Sequence, residues 1–202
     1  LVIAAGVPGV RRAYARRRPG PGTPAPGGPV ACVRRANAWR TATAGPHHRL
    51  MTTTWLPPDW EHPLRVDLPT GHHLRPITAD DTEKDMLAVM GSRERLWSIY
   101  GAAWGWPPAD MSAEADREDL QRHWEEMQTH ESFNYALLDA EETELIGCVY
   151  VDPGDGPGCD AVISWWVRDE YVGSELESTL DSFVPDWIDR DWPVTAPFYG
   201  VR

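Results

Sequence analysis

The sequence predicts an α+β domain, with a mixed, mostly antiparallel central sheet flanked by helices. Three observations predict it. Residues 160–167 (DAVISWWV) are mostly apolar on both alternating faces, as a strand covered on both sides requires. The period then changes. Leu176, Leu180, Phe183, Trp187 and Ile188 recur at three- and four-residue steps, the stripe of a helix that begins near Glu175 and packs on a sheet. The third observation is the order of segments from His73 onward: a strand, two or three helices, three strands in a meander, a helix and a last strand.

The first fifty residues stand outside this domain. They hold nine Arg and no acid, are rich in Ala, Gly and Pro, and lack an apolar period, so they are expected to be a disordered basic leader. Met51 is the first methionine and the composition switches there, so residues 1–50 are expected to be upstream sequence rather than native protein. The remainder carries 10 basic residues against 31 acidic ones, with Lys84 the only lysine. Such a surface repels nucleic acid and anionic membrane, and no apolar run is long enough to span a bilayer. Cys32, Cys148 and Cys159 are too widely spaced for a disulfide framework or a metal pattern, which points to a reducing, cytoplasmic setting.

Residues 51–71 are Pro-rich with two tryptophans, an extended arm expected to lie against the domain with Trp55 and Trp60 as packing. His73–Thr78 is the first expected strand, and Pro76 implies an edge position or a bulge. Thr78 and Asp81 form a T-x-x-D capping box that opens a helix through Met86, Leu87, Val89 and Met90. A second helix follows, with Leu96, Ile99, Tyr100 and Ala103 on its buried side, ended by Gly105 and Pro107–Pro108. A long charged helix enters near Ser112 with a narrow stripe of Leu120, Trp124 and Met127, its carboxylates expected to be mostly solvated. Strands are expected at Phe133–Asp139, Leu145–Val151 and Asp160–Val167, and a last one within residues 194–202. Pro185 removes one backbone bond from the final helix and should kink or end it near Val184.

This order, with residues 145–153 (LIGCVYVDP) leading to residues 162–180 (VISWWVRDEYVGSELESTL), resembles the GCN5-related N-acetyltransferase (GNAT) superfamily over roughly residues 72–202. The resemblance implies an acetyl-CoA-dependent N-acyltransferase acting on an amine of a small molecule or a protein N-terminus. It also implies that backbone groups of Trp166 and Val167 receive the pantetheine arm. The pyrophosphate would then sit on the turn Val172, Gly173, Ser174, Glu175, Leu176 and Glu177, where backbone N–H groups and the helix dipole neutralise it. Three positions depart from the family's Q/R-x-x-G-x-G/A signature: Val172, Glu175 and Glu177. The two glutamates put negative charge beside a pyrophosphate, at a cost of about 1 to 4 kcal/mol per close contact. The same residues suit an S-x-x-E capping box between Ser174 and Glu177, a self-capped helix start. The family usually continues with another helix and strand, so the C-terminal part is expected to be short or truncated.

Transfer needs a base for the acceptor's proton and a donor for the leaving thiolate. Asp160 and Tyr199 are the candidate catalytic residues, with Ser164 beside them; Tyr135 and Glu144 are weaker. The pairs His47–His48 and His72–His73 are sequence neighbours, which point to opposite faces of a strand, and His123 and His130 lack an evident third ligand, so no metal is expected. Two other readings stand beside the enzyme. One is a GNAT-fold binding or regulatory module that has lost coenzyme A. The other is a ligand-binding face built from Trp97, Trp104, Trp106, Trp165 and Trp166.

Overall fold

A computed structural model describes residues 55–156 and 158–200, all within the compact unit that spans residues 31–202. The expectations for residues 1–50 lie outside the described residues. A six-stranded sheet runs in sequence order: β1 (Val66–Asp67), β2 (His73–Pro76), β3 (Phe133–Leu138), β4 (Leu145–Gly156), β5 (Cys159–Val167) and β6 (Pro197–Tyr199). All neighbours are antiparallel except β5 and β6, which run parallel. The helices are α1 (Thr82–Gly91), α2 (Arg93–Trp104), α3 (Ala113–Gln128) and α4 (Glu175–Asp191).

The sheet buries both faces, as the two-sided apolar pattern of β5 requires. Trp165, Ile163, Val149 and Tyr135 face α4, whose Leu176, Leu180, Val184, Trp187 and Ile188 cover them. Trp166, Tyr150, Cys148 and Ala136 face the other way, against Ala88 and Val89 of α1, Leu96 and Tyr100 of α2, and Leu120 of α3. The tryptophan pair in β5 therefore anchors two separate cores. The arm also packs: the Trp55 indole donates to the His130 carbonyl at 2.9 Å, and Trp60 lies 4.7 Å from Trp192 between ring centroids.

Several expectations are corrected. A short strand, β1, lies within the arm and pairs with His73 and Leu74. Pro76 is tolerated because Ile77 sends its N–H to Asn134, which turns the Pro76 nitrogen toward the opposite edge, beyond the reach of β1. Asp81 accepts from the Thr78 N–H as expected, but the cap opens a 3-10 turn (Ala79–Asp81) before α1 begins. Ala103 is exposed, whereas Trp104 beside it stacks on Tyr100 at 4.5 Å and covers the core there. Pro185 does not end α4, which continues to Asp191; Trp187 and Ile188, both fully buried, hold the last turns on the sheet at a cost of one backbone bond. Cys148 is free and buried, whereas Cys159 is disulfide-bonded, contrary to the expectation of no disulfide. The five tryptophans proposed as one face do not share one: Trp165 and Trp166 point oppositely and Trp97 is exposed.

Candidate active site

Chemistry gathers at two places, the edge of β5 with the turn that follows it, and an acidic cavity on the α1–α3 face of the sheet. β6 pairs with Ala161–Ile163 only, and the last bond along that edge runs from the Gly200 N–H to the Ile163 carbonyl at 2.8 Å. Ser164–Val167 continues beyond this pairing, with its other edge bonded to β4. Ser164 sits where the pairing stops; it is buried and its hydroxyl has no partner among the described residues. At the far end, the Val167 carbonyl accepts from the Arg95 guanidinium, which also donates to Asp169 at 2.6 Å. The Ser92 hydroxyl accepts the Asp169 N–H at 3.0 Å, so the start of α2 is docked on the turn. The Trp166 indole N–H donates to the Tyr150 hydroxyl at 2.9 Å.

The turn is self-capped in a form one residue out of the expected register. Ser174 Oγ accepts the Glu177 N–H at 3.3 Å, as a capping box requires. The Glu177 carboxylate accepts the Gly173 N–H at 2.6 Å, while the Ser174 N–H goes to the Tyr171 carbonyl. Gly173 has φ +77°, a left-handed conformation that presents its N–H to the helix start at no steric cost. Glu175 is exposed. Among the described residues, the N–H groups of Glu175 and Leu176 make no bond in the turn, so the N-terminus of α4 is only partly capped.

Asp160 and Tyr199 are not brought together as a catalytic pair. The Asp160 carboxylate accepts from the Thr195 N–H at 2.6 Å, the Thr195 hydroxyl at 2.8 Å and the Ala196 N–H at 2.9 Å. These donors outweigh the upward pull of burial and hold its pKa low, so it clamps the entry to β6. Tyr199 packs edge-on against Trp165 at 6.2 Å, on the α4 face, and burial with Asp189 and Asp186 raises its hydroxyl pKa. Tyr135 is fully buried on that same face, and Glu144 accepts from the Tyr171 hydroxyl and pairs with Arg168.

The cavity went unread in the sequence. It has a volume of about 80 Å³ and lies between α1, α3 and the face of β3 and β4 that also carries Trp166. Asp85 of α1 and Asp116 of α3 are both buried and share a hydrogen bond across it. Burial and the neighbouring Asp116 push Asp85 well above the carboxylate range. Burial also raises Asp116, to about 6, although the bond from Asp85 opposes the rise. The shared bond raises Asp85 and lowers Asp116, so Asp85 is the partner that keeps the proton longer and donates it to the Asp116 carboxylate. Farther along α3, burial would raise Asp119, but the His123 hydrogen bond, with Arg122 nearby, lowers it to about 2. His123 is raised, because Asp119 and Glu126 outweigh its burial. Asp116, Asp119, His123 and Glu126 recur at three- and four-residue steps, so a polar stripe beside the apolar one was present in the sequence. The α3 carboxylates are solvated as expected at Glu114, Glu118 and Glu125, but Asp116 is buried and Asp119 and Glu126 are half-buried. No group of His, Cys, Asp and Glu among the described residues is arranged to hold a metal.

An acetyltransferase (GNAT) domain family model matches residues 73–180, over half of the chain, and the chain belongs to that family. No curated protein sequence matches it. Among solved structures it is similar to the ribosomal-protein-S5-alanine acetyltransferase from Vibrio fischeri, at 17% identity and TM-score 0.49, over 62% of this chain and 67% of that one. It is similar to RimL, a ribosomal L7/L12 α-N-protein acetyltransferase in complex with coenzyme A, at 18% identity and TM-score 0.50, over 62% and 68%. It is also similar to MccE, the microcin C7 self-immunity acetyltransferase in complex with acetyl-CoA and AMP, at 12% identity and TM-score 0.49, over 63% and 68%. At these identities the likeness is one of fold, and the matched region spans about two thirds of each of those chains.

Proposed function

We propose that the chain transfers an acetyl group from acetyl-CoA to an amine, with a peptide N-terminus or a small-molecule amine as acceptor. The observation that carries this reading is the length of β5 edge from Ser164 to Val167, beyond the β6 pairing and beside the cavity through Tyr150, the register partner of Ser164. Membership of the family and the coenzyme A complex of RimL support the cofactor. The ribosomal L7/L12 substrate named for RimL supports a protein amine.

The described residues fit the cofactor at the strand edge and partly at the turn. Backbone groups of Trp166 and Val167 would take the pantetheine amides once Arg95 leaves the Val167 carbonyl. The N–H groups of Gly173, Glu175 and Leu176 would take phosphate oxygens once Glu177 leaves Gly173, with Val172 and Ser174 completing the turn. When bound, acetyl-CoA supplies the thioester acyl group. Ser164 Oγ holds a proton with no competing partner, a donor placed on the cavity side of the sheet. The acceptor amine must lose a proton before its lone pair can attack, and Asp116 is the cavity's carboxylate with a pKa near that work, about 6. Isothermal calorimetry with coenzyme A, followed by a free-thiol assay with amine acceptors, tests the reading. Binding with amine-dependent thiol release is expected, and no binding at millimolar coenzyme A would sink it.

A further inference from the structure

The cavity is lined by two buried acceptor atoms that no N–H or hydroxyl reaches among the described residues: Asp116 Oδ2, whose carboxylate takes only the Asp85 carboxyl proton and keeps spare lone pairs, and Asn134 Oδ1 on β3. Both residues are 3% exposed. They come from different elements, and Asn134 is not part of the acidic stripe, so its unpartnered oxygen is not a by-product of crowded carboxylates. A buried acceptor left unmade costs about 1 to 3 kcal/mol, and more when charged, so two facing one small cavity mark a place for hydrogen-bond donors.

The surrounding charge selects the kind of donor. Asp119, Glu126 and Asp152 add to Asp116, while Arg122 and His123 are the cationic side chains on the wall, and both are paired with Asp119 and Glu126. Those pairs commit both cations to Asp119 and Glu126, and His123 acts on Asp116 only through space. Half-buried Trp104 and Trp106 also line the cavity, flat surfaces suited to the alkyl stem behind a cationic head. Its volume admits a head group rather than a whole peptide.

We propose that this cavity is a primary-ammonium site in which Asp116 Oδ2 and Asn134 Oδ1 accept from the N–H groups of a protonated amine, with Asp85 holding Asp116 in place. The proposal rests on the acetyltransferase reading in that the ammonium would be the acceptor's, but binding itself needs no cofactor. An NMR titration of the apo protein with propylammonium chloride tests it, with tetramethylammonium chloride as the equally charged probe that has no N–H. Propylammonium is expected to bind and to shift resonances of residues 116 and 134, with tetramethylammonium weaker by roughly tenfold or more. Asp116→Asn keeps the shape and removes the charge, and is expected to weaken propylammonium by roughly tenfold or more. Equal binding of the two cations, no binding of propylammonium, or full binding to a folded Asp116→Asn protein would overturn the site. The comparison of cations uses the unaltered chain, so it stands even if the variant does not fold. Ala-Ala-Ala-amide with a free N-terminus forms a second arm: tighter binding than propylammonium assigns the site to peptide N-termini, weaker binding to free small amines. Coenzyme A is titrated separately, so a failure there removes the acetyltransferase reading and leaves the ammonium site standing.

Discussion

Glu177 holds the N–H of Gly173 at 2.6 Å, the donor that a phosphate oxygen would need if the turn takes the cofactor as proposed. The competition predicts opposite effects on stability and on cofactor binding. Glu177→Ala should destabilise the fold by about 1 kcal/mol through loss of the cap, seen in denaturant unfolding, while coenzyme A binding tightens in calorimetry. Unchanged affinity would mean that the turn is not the phosphate site. Asp85 leads to a prediction in pH. Its folded-state pKa is raised well above 3.8, so between pH 4 and the folded value the native state holds more protons than the unfolded chain. Stability from this group is present in acid and is lost as the pH rises. Asp85→Asn keeps a donor toward Asp116 without needing a proton, so the variant should gain on the unaltered protein from pH 4 to pH 7. Urea midpoints at the two values would show it, and a constant difference would contradict the shared proton. The sequence named neither role of these residues in full: the Glu177 cap was readable from S-x-x-E spacing, but Asp85 and Asp116 are 31 positions apart and meet only across helices.

At the scale of elements, α4 shows why a local rule yields to packing. Pro185 removes a backbone bond and was expected to kink or end the helix near Val184, yet α4 runs on to Asp191 and Val184, Trp187 and Ile188 are fully buried beyond and around it. Burying a large side chain contributes about 1.5 to 3 kcal/mol, so two past the proline offset the roughly 3 kcal/mol that it costs. Trp187→Ala should therefore lower stability by about 3 to 5 kcal/mol in thermal or urea unfolding, far more than substitution of exposed Trp97. A loss below about 1 kcal/mol would mean that α4 is not held by this contact. In α3 the same principle acts on polar residues. The apolar stripe was legible from Leu120 and Met127, whereas the neighbouring stripe of Asp116, Asp119, His123 and Glu126 is turned inward by α1 and the sheet, which periodicity alone does not report.

For the molecule as a whole, charge sets the terms of encounter. The chain carries net charge −12, and residues 51–202 are more acidic still because the first fifty hold nine of the 19 basic residues. A cationic acceptor should be drawn to such a surface and a neutral one should not. If the chain acetylates a cationic amine, kcat/KM should fall as salt rises from low to physiological strength, where the screening length shortens to about 8 Å. A salt-independent rate would argue against steering. No described helix is long and apolar enough to cross a membrane.

The family and the order of elements were legible in the sequence, because alternation in β5, the stripe of α4 and the turns between strands are local patterns set by backbone geometry. So were the departures from the family signature at Val172, Glu175 and Glu177, since they occupy known positions in a strand-to-helix passage. Which carboxylates are buried and which are held by donors was decided only by tertiary structure. Asp160 had the better position in sequence, yet it is tied up by three donors from Thr195 and Ala196, while Asp116 reads as surface and is buried against Asp85. A side chain's charge state and its free lone pairs depend on what is packed across from it, and those neighbours are distant in the chain.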